Sequence, residues 1–141
     1  MANVDRYREG HFSLGKGEVA TSTTVIAIGD LLKSTSGKLL PMASSTDNLS
    51  FRGVAHRAHP SGDVFNEVTY YRPGENTIFE FTLDASTDVV IGDELAMAAG
   101  DYTKLTKTTT DAIFVAVETL AGATTIRCKM KLPETEIGDA S

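Results

Sequence analysis

The sequence is poor in the residues that announce a particular chemistry. Its 141 residues include a single cysteine, Cys128, no tryptophan and four prolines. One cysteine excludes an internal disulfide framework and any zinc centre built on several thiolates. Nothing approaches the roughly 18 consecutive apolar residues of a membrane-spanning helix. The opening MANVDRYREG lacks the apolar core of a secretory signal, so use without export and without a membrane partner is expected. The 13 Lys and Arg residues are scattered among 19 Asp and Glu, for a net charge of −6. With no basic stripe in the linear sequence, no nucleic-acid partner is expected.

Signatures of catalysis are missing too. There is no Gly-Lys-Ser/Thr phosphate loop, no Gly-x-Ser-x-Gly elbow and no His-Glu-x-x-His. His56-Arg57-Ala58-His59 followed by Asp63 is the one grouping that suggests a metal. The three-residue His spacing suits a helix, whereas the segment follows a strand pattern, and Arg57 would oppose a cation. It reads as a solvated loop or partner contact. No catalytic residue, metal or cofactor is expected.

What is present is a period of two. Phe79, Phe81 and Leu83 alternate with Ile78, Glu80 and Thr82, and Ile126–Leu132 alternates apolar with cationic residues, which puts Cys128 on a buried strand face. Dense Gly-Asp, Ser-Gly and Pro-Gly punctuation separates short β-rich runs, and no window carries a helical stripe. The 28 Ser and Thr residues gather in the loops, as solvated turns do. In Tyr70-Tyr71-Arg72, strand alternation turns one tyrosine outward, and Tyr and Arg are interface-rich types. The fold expected is all-β.

A comparison of the chain with itself adds a repeat. Displaced by 63 residues, Thr24–Val54 lies over Thr87–Val117, with nine of 31 positions identical, among them Gly29/Gly92, Asp30/Asp93, Leu32/Leu95 and Phe51/Phe114. Gly62–Pro73 then lies over Gly122–Pro133. Asp30 and Asp93 are read as turn residues whose carboxylates accept main-chain N–H groups, not as a paired catalytic site. One unit of about 45 residues is too small to fold alone, so the two are expected to share a core about a pseudo-twofold axis. The organisation expected is an arm over 1–22, a duplicated β-domain over 23–133 with units at about 24–73 and 87–133, and a tail over 134–141.

The runs Val25-Ile-Ala-Ile-Gly-Asp-Leu-Leu32, Gly37-Lys-Leu-Leu-Pro-Met42 and Phe51-Arg-Gly-Val-Ala55 resemble the tailed-phage head decoration, or cement, proteins. The resemblance covers most of 24–133; the second unit departs from it with Gly100-Asp-Tyr-Thr-Lys-Leu105. It implies a compact β-clip or β-tulip barrel without an enzymatic site. Such a protein sits on the outer surface of the phage virion as a homotrimer and binds the major capsid protein, which it stabilises. The arm, with Arg6, Tyr7, Arg8, His11 and Phe12, is then expected to bind the capsid. A carbohydrate- or receptor-binding β-domain of a fibre or baseplate is the alternative.

Overall fold

The computed structural model describes residues 6–9, 14–43, 50–63, 66–73, 77–99 and 101–131. Among them are eleven strands and no helix. These are β1 (Tyr7–Glu9), β2 (Leu14–Glu18), β3 (Leu31–Thr35), β4 (Lys38–Pro41), β5 (Phe51–Ala55), β6 (Glu67–Tyr71), β7 (Ile78–Val89), β8 (Glu94–Ala98), β9 (Asp101–Lys107), β10 (Phe114–Ala116) and β11 (Leu120–Met130). They build two five-stranded barrels of one topology. Barrel 1 has the order β2-β6-β5-β3-β4 and closes through the parallel bridge Val19↔Leu39. Barrel 2 has the order β7-β11-β10-β8-β9 and closes through the parallel pairs Thr82↔Lys104 and Leu83↔Leu105. β1 is an additional strand on β7.

The duplication is visible bond by bond. The Gly29 N–H donates to Ala55 O at 3.0 Å, and the Gly92 N–H to Ala116 O at 3.0 Å. The Ala55 N–H returns to Asp30 O at 2.8 Å, as the Ala116 N–H does to Asp93 O at 2.8 Å. Met42 to Leu31 matches Thr108 to Glu94, and His56 to Thr69 matches Val117 to Arg127. Gly29 and Gly92 both carry positive φ, 91° and 97°, which only glycine adopts without strain. These bonds show that the offset between units is not constant. It runs from Gly15 to Phe79 in the first strand, Asp30 to Asp93 at the turn, Leu39 to Leu105 in the third strand, Ala55 to Ala116 in the fourth and Thr69 to Arg127 in the last.

Two expectations change as a result. The repeat begins at β2, so residues 14–18 are a barrel strand and not part of an arm. Phe51 and Phe114 are not equivalents, because Gly53 pairs with Leu32 as Phe114 pairs with Leu95. Phe114 is fully buried, Phe51 is half-buried, and the rings pack on each other at 5.7 Å. Leu32 and Leu95 are equivalent and wholly buried, as the repeat predicts.

Val19, Ile26, Leu32, Leu39, Ala55 and Val68 fill barrel 1. Their counterparts Leu83, Val89, Leu95, Leu105, Ala116 and Ile126 lie in the larger cluster that includes barrel 2. The barrels differ in where they hold bulk. Gly15, Gly17 and Gly53 stand where barrel 2 has Phe79, Phe81 and Phe114. Tyr70, the counterpart of Cys128, takes that space beside Gly15 and Gly53, and Leu39 takes it beside Gly17; a Cβ added at Gly53 would also strike the Tyr71 carbonyl oxygen. The three phenylalanines form their own cluster, with Phe81 and Phe114 at 4.9 Å. Leu31, Met42, Val54 and Tyr71, which turn away from the barrel 1 interior, join this larger cluster.

The counterparts of those four are Glu94, Thr108, Val115 and Lys129, all part-exposed. Glu94 there pairs with Lys131 at 3.1 Å. One unit thus uses a face that the other leaves in water. The contact is heterologous, and the pseudo-twofold arrangement expected from the repeat is replaced by two barrels in tandem.

Removal of the Phe114 ring is expected to cost about 3–5 kcal/mol. Phe51→Ala should cost about 1–2 kcal/mol, since part of its ring stays in water. Denaturant unfolding of the two variants checks this. Equal losses would contradict the equivalence of Gly53, rather than Phe51, with Phe114.

Candidate functional site

The five residues expected to bind the capsid divide into three groups. Arg6 is buried, with its guanidinium 4.8 Å from the centroid of the Phe81 ring and Nη2 donating to Thr103 O at 3.3 Å. Its carbonyl accepts the Glu80 N–H at 2.9 Å. Burial lowers the Arg6 pKa, and the field of Asp30 opposes that change. Tyr7 stacks on Tyr71 at 5.5 Å and meets the edge of Phe79 at 6.4 Å. Arg6 and Tyr7 therefore tie β1 to barrel 2. Arg8 is exposed and donates from Nε to Glu80 Oε1 at 3.1 Å. A surface pair of this kind contributes about 0–1 kcal/mol. His11 and Phe12 lie outside the described residues.

The expected 1–22 arm is thus interrupted twice by sheet structure, at β1 and β2. Two lone strand segments look like an arm in the sequence because their partners, β7 and β6, lie far along the chain, Tyr7 pairing with Phe79 and Glu18 with Glu67. Removal of residues 1–17 takes away β1, most of β2 and the Arg6–Phe81 contact. Loss of the cooperative thermal transition, followed by circular dichroism, is the expected outcome. A truncated chain that melts like the full one would show that β2 is dispensable.

Tyr70-Tyr71-Arg72 offers less surface than its composition suggests. Tyr70 points into barrel 1 and Tyr71 is buried where barrel 2 covers the outer face. Both rings are engaged within the fold, Tyr70 against the barrel 1 core and Tyr71 in the larger cluster. Arg72 remains exposed. The His56–His59 grouping also departs from a solvated loop. His56 is exposed, with Nδ1 2.9 Å from Thr69 Oγ1, but His59 is fully buried and its Nδ1 donates to Thr24 O at 2.6 Å. Among the described residues no three His, Cys, Asp or Glu side chains gather as metal ligands. Cys128 is fully buried, and desolvation raises its thiol far above the ordinary range, as a core cysteine requires.

Two surface features stand out. A shallow cleft of about 350 Å³ is lined by Lys16, Arg57, Glu67, Val68 and Thr69 on barrel 1. On barrel 2, Val90 (53% exposed) and Ile91 (67%) project from the Gly-Asp turn. Leu120 (39%) joins them: it pairs with Val89 across the ladder, and the Ile91 N–H donates to Thr119 Oγ1 at 3.1 Å. In barrel 1 the matching positions are Ala27 and Ile28, half-buried, and the buried His59. The exposed Val90-Ile91 pair is therefore peculiar to barrel 2, while barrel 1 exposes Val25 (59%) ahead of its own turn. No sequence signal marked it, because Val90-Ile91 reads as ordinary strand. No family model and no curated protein matches the chain.

Asp30 and Asp93 do the turn work expected of them. Oδ2 of each accepts a main-chain N–H three residues back, from Ala27 and Val90, at 2.9 Å. Their surroundings then separate them. Burial raises the Asp30 pKa, outweighing the Ala27 bond. The Val90 bond and Lys107, 3.1 Å away, lower that of Asp93. Carboxyl-detected NMR titration should therefore find Asp30 above and Asp93 below the ordinary 3.8. Ionising Asp30 then reduces stability as pH rises from 3.8 through its folded pKa. The contribution of Asp93 is present above 3.8 and is lost as pH falls through its folded pKa. Matching titrations at the two sites would contradict this difference in environment.

Proposed function

We propose that this chain is a non-enzymatic capsid decoration protein that binds the outer surface of a mature phage head and stabilises it, as a homotrimer. The observation that carries the reading is where the family-like runs fall. Residues 25–32, 37–42 and 51–55 form one continuous piece of barrel 1, from the Gly-Asp turn through β3 and β4 to β5. Each marked residue has a main-chain task there. Gly29 supplies positive φ, Asp30 closes the turn, Gly37 turns the β3–β4 hairpin, and Gly53 admits the close approach of β6. The resemblance therefore reaches a folded unit, which the chain then repeats.

The apolar tip at Val90, Ile91 and Leu120 supplies the contact surface in this reading. Since 39–67% of each residue is exposed, covering one such side chain contributes about 0.6–2 kcal/mol. A trimer presents the tip three times, and after the first contact the later ones are effectively intramolecular, so modest single contacts suffice to clamp neighbouring capsomers.

Cosedimentation of the purified chain with expanded empty shells of its own virus tests the proposal. The wild type should pellet with shells at a fixed stoichiometry. Ile91→Asp, on an exposed turn, should fold normally and bind at least tenfold more weakly. No cosedimentation of the wild type would overturn the reading, and unchanged binding by Ile91→Asp would move the contact elsewhere.

A further inference from the structure

Strand-by-strand matching of the barrels leaves one unequal edge. In barrel 2, β7 has β11 on one side, while β9 and β1 share the other. β9 takes Thr82 and Leu83, and β1 takes Ile78 and Phe79, with the Glu80 N–H donating to Arg6 O. In barrel 1, β2 pairs with β6 along its length and meets β4 only at Val19↔Leu39. The segment equivalent to Ile78–Glu80 is Leu14–Lys16. Among the described residues, no strand lies on its outer edge.

Strand alternation identifies the main-chain groups on that edge. The Ala20 N–H donates to Leu39 O at 3.1 Å, so the even-numbered residues here present their main chain toward the β4 side. Leu14 and Lys16 continue the series, as Ile78 and Glu80 do in barrel 2, where the Glu80 N–H is already used by β1. Leu14 is 38% exposed. The edge is thus a copy of an occupied strand site, with no occupant among the described residues.

Charge describes the occupant. Arg57 and Lys16 line the cleft on one side of β2. On the other side, the Arg72 Nε lies 2.8 Å from the place a Gly15 Cβ would take. Neither arginine meets a carboxylate among the described residues, and the Lys16–Glu67 pair is loose at 3.8 Å. Lys16 and Arg72 therefore place cationic groups beside the open edge, in a chain whose net charge is −6.

We propose that Leu14–Lys16 is a strand-acceptor edge for an extended acidic segment of a partner protein, added antiparallel as β1 is added to β7. Main-chain bonds at Leu14 and Lys16 hold the guest, and the Lys16 and Arg72 side chains select its carboxylates. That the partner is the shell protein rests on the decoration reading.

Two variants and one wild-type measurement test the edge with expanded shells as the probe. Lys16→Pro removes a donor that faces away from β6, so the β2–β6 ladder keeps its bonds. It should bind shells at least tenfold more weakly with an unchanged thermal transition. The Arg72→Glu variant alters one exposed side chain and should lose binding similarly; it decides the matter if Lys16→Pro fails to fold. On wild-type chain, hydrogen exchange over residues 14–18 should slow at least tenfold when shells are added. Wild-type shell binding with unprotected exchange there, or with wild-type affinity in the folded variants, would overturn the edge alone. Self-association that disappears in the variants would assign the edge to a second copy and overturn the proposal. Absence of shell binding by the wild type would remove the decoration reading and this partner together.

Discussion

The contact on which the rest of the molecule depends is the seating of Leu31, Val54 and Tyr71 against the Phe79, Phe81 and Phe114 cluster. A closed barrel of fewer than about 60 residues buries little, and barrel 1 has six modest side chains for a core. Part of its outer face is therefore apolar as well, and Leu31 and Leu32 are buried on opposite sides of the same strand. Barrel 2 receives that face at the end where its phenylalanines gather. Tyr71 meets Phe79 at 5.3 Å, and Phe51 closes over Phe114. β1 completes the joint from the far side through the Tyr7–Tyr71 stack. A single cluster spans both units, which explains why Tyr7, 64 residues from its partner Tyr71, has a fixed place.

Much of this architecture was legible in the sequence, and the part that was not has a physical cause. The alternation at Phe79–Leu83 and Ile126–Met130 located the two longest strands and the buried side of Cys128. The Gly-Asp pairs located both turns, because positive φ and a carboxylate acceptor leave few residue choices. The start of the repeat was hidden, since Gly15-Lys16-Gly17 has nothing in common with Phe79-Glu80-Phe81. Barrel 1 fills the space beside Gly15 and Gly53 from β6, with Tyr70, and the space beside Gly17 with Leu39, so the bulk comes from other positions. The same exchange disguised Phe51 as the counterpart of Phe114. Arg6 and Tyr7 carry interface-like chemistry, and only the strand pairing with β7 reveals that they are spent within the fold.

Duplication followed by tandem docking also creates the asymmetry on which function can act. Faces that are equivalent by descent become different in use. The Leu31–Val54–Tyr71 face is covered in barrel 1, and its Glu94–Val115–Lys129 counterpart is wet in barrel 2. At the Gly-Asp tip Val90 and Ile91 are exposed where Ala27 and Ile28 are half-buried, and among the described residues the outer edge of the first strand is open only in barrel 1. A protein that clamps neighbouring subunits of a shell needs a rigid body with distinct contact points, and two copies of one barrel in tandem provide them without a second fold.

An electron cryomicroscopy map of shells decorated with the full chain would put the tandem barrels and their contact points to the sharpest test. Paired barrels are expected in threes at threefold or quasi-threefold positions. The Val90–Ile91 tip should face the shell, with one additional antiparallel strand on Leu14–Lys16. Dimers bridging twofold positions, or paired barrels whose tip and open edge both face solvent, would contradict the decoration reading.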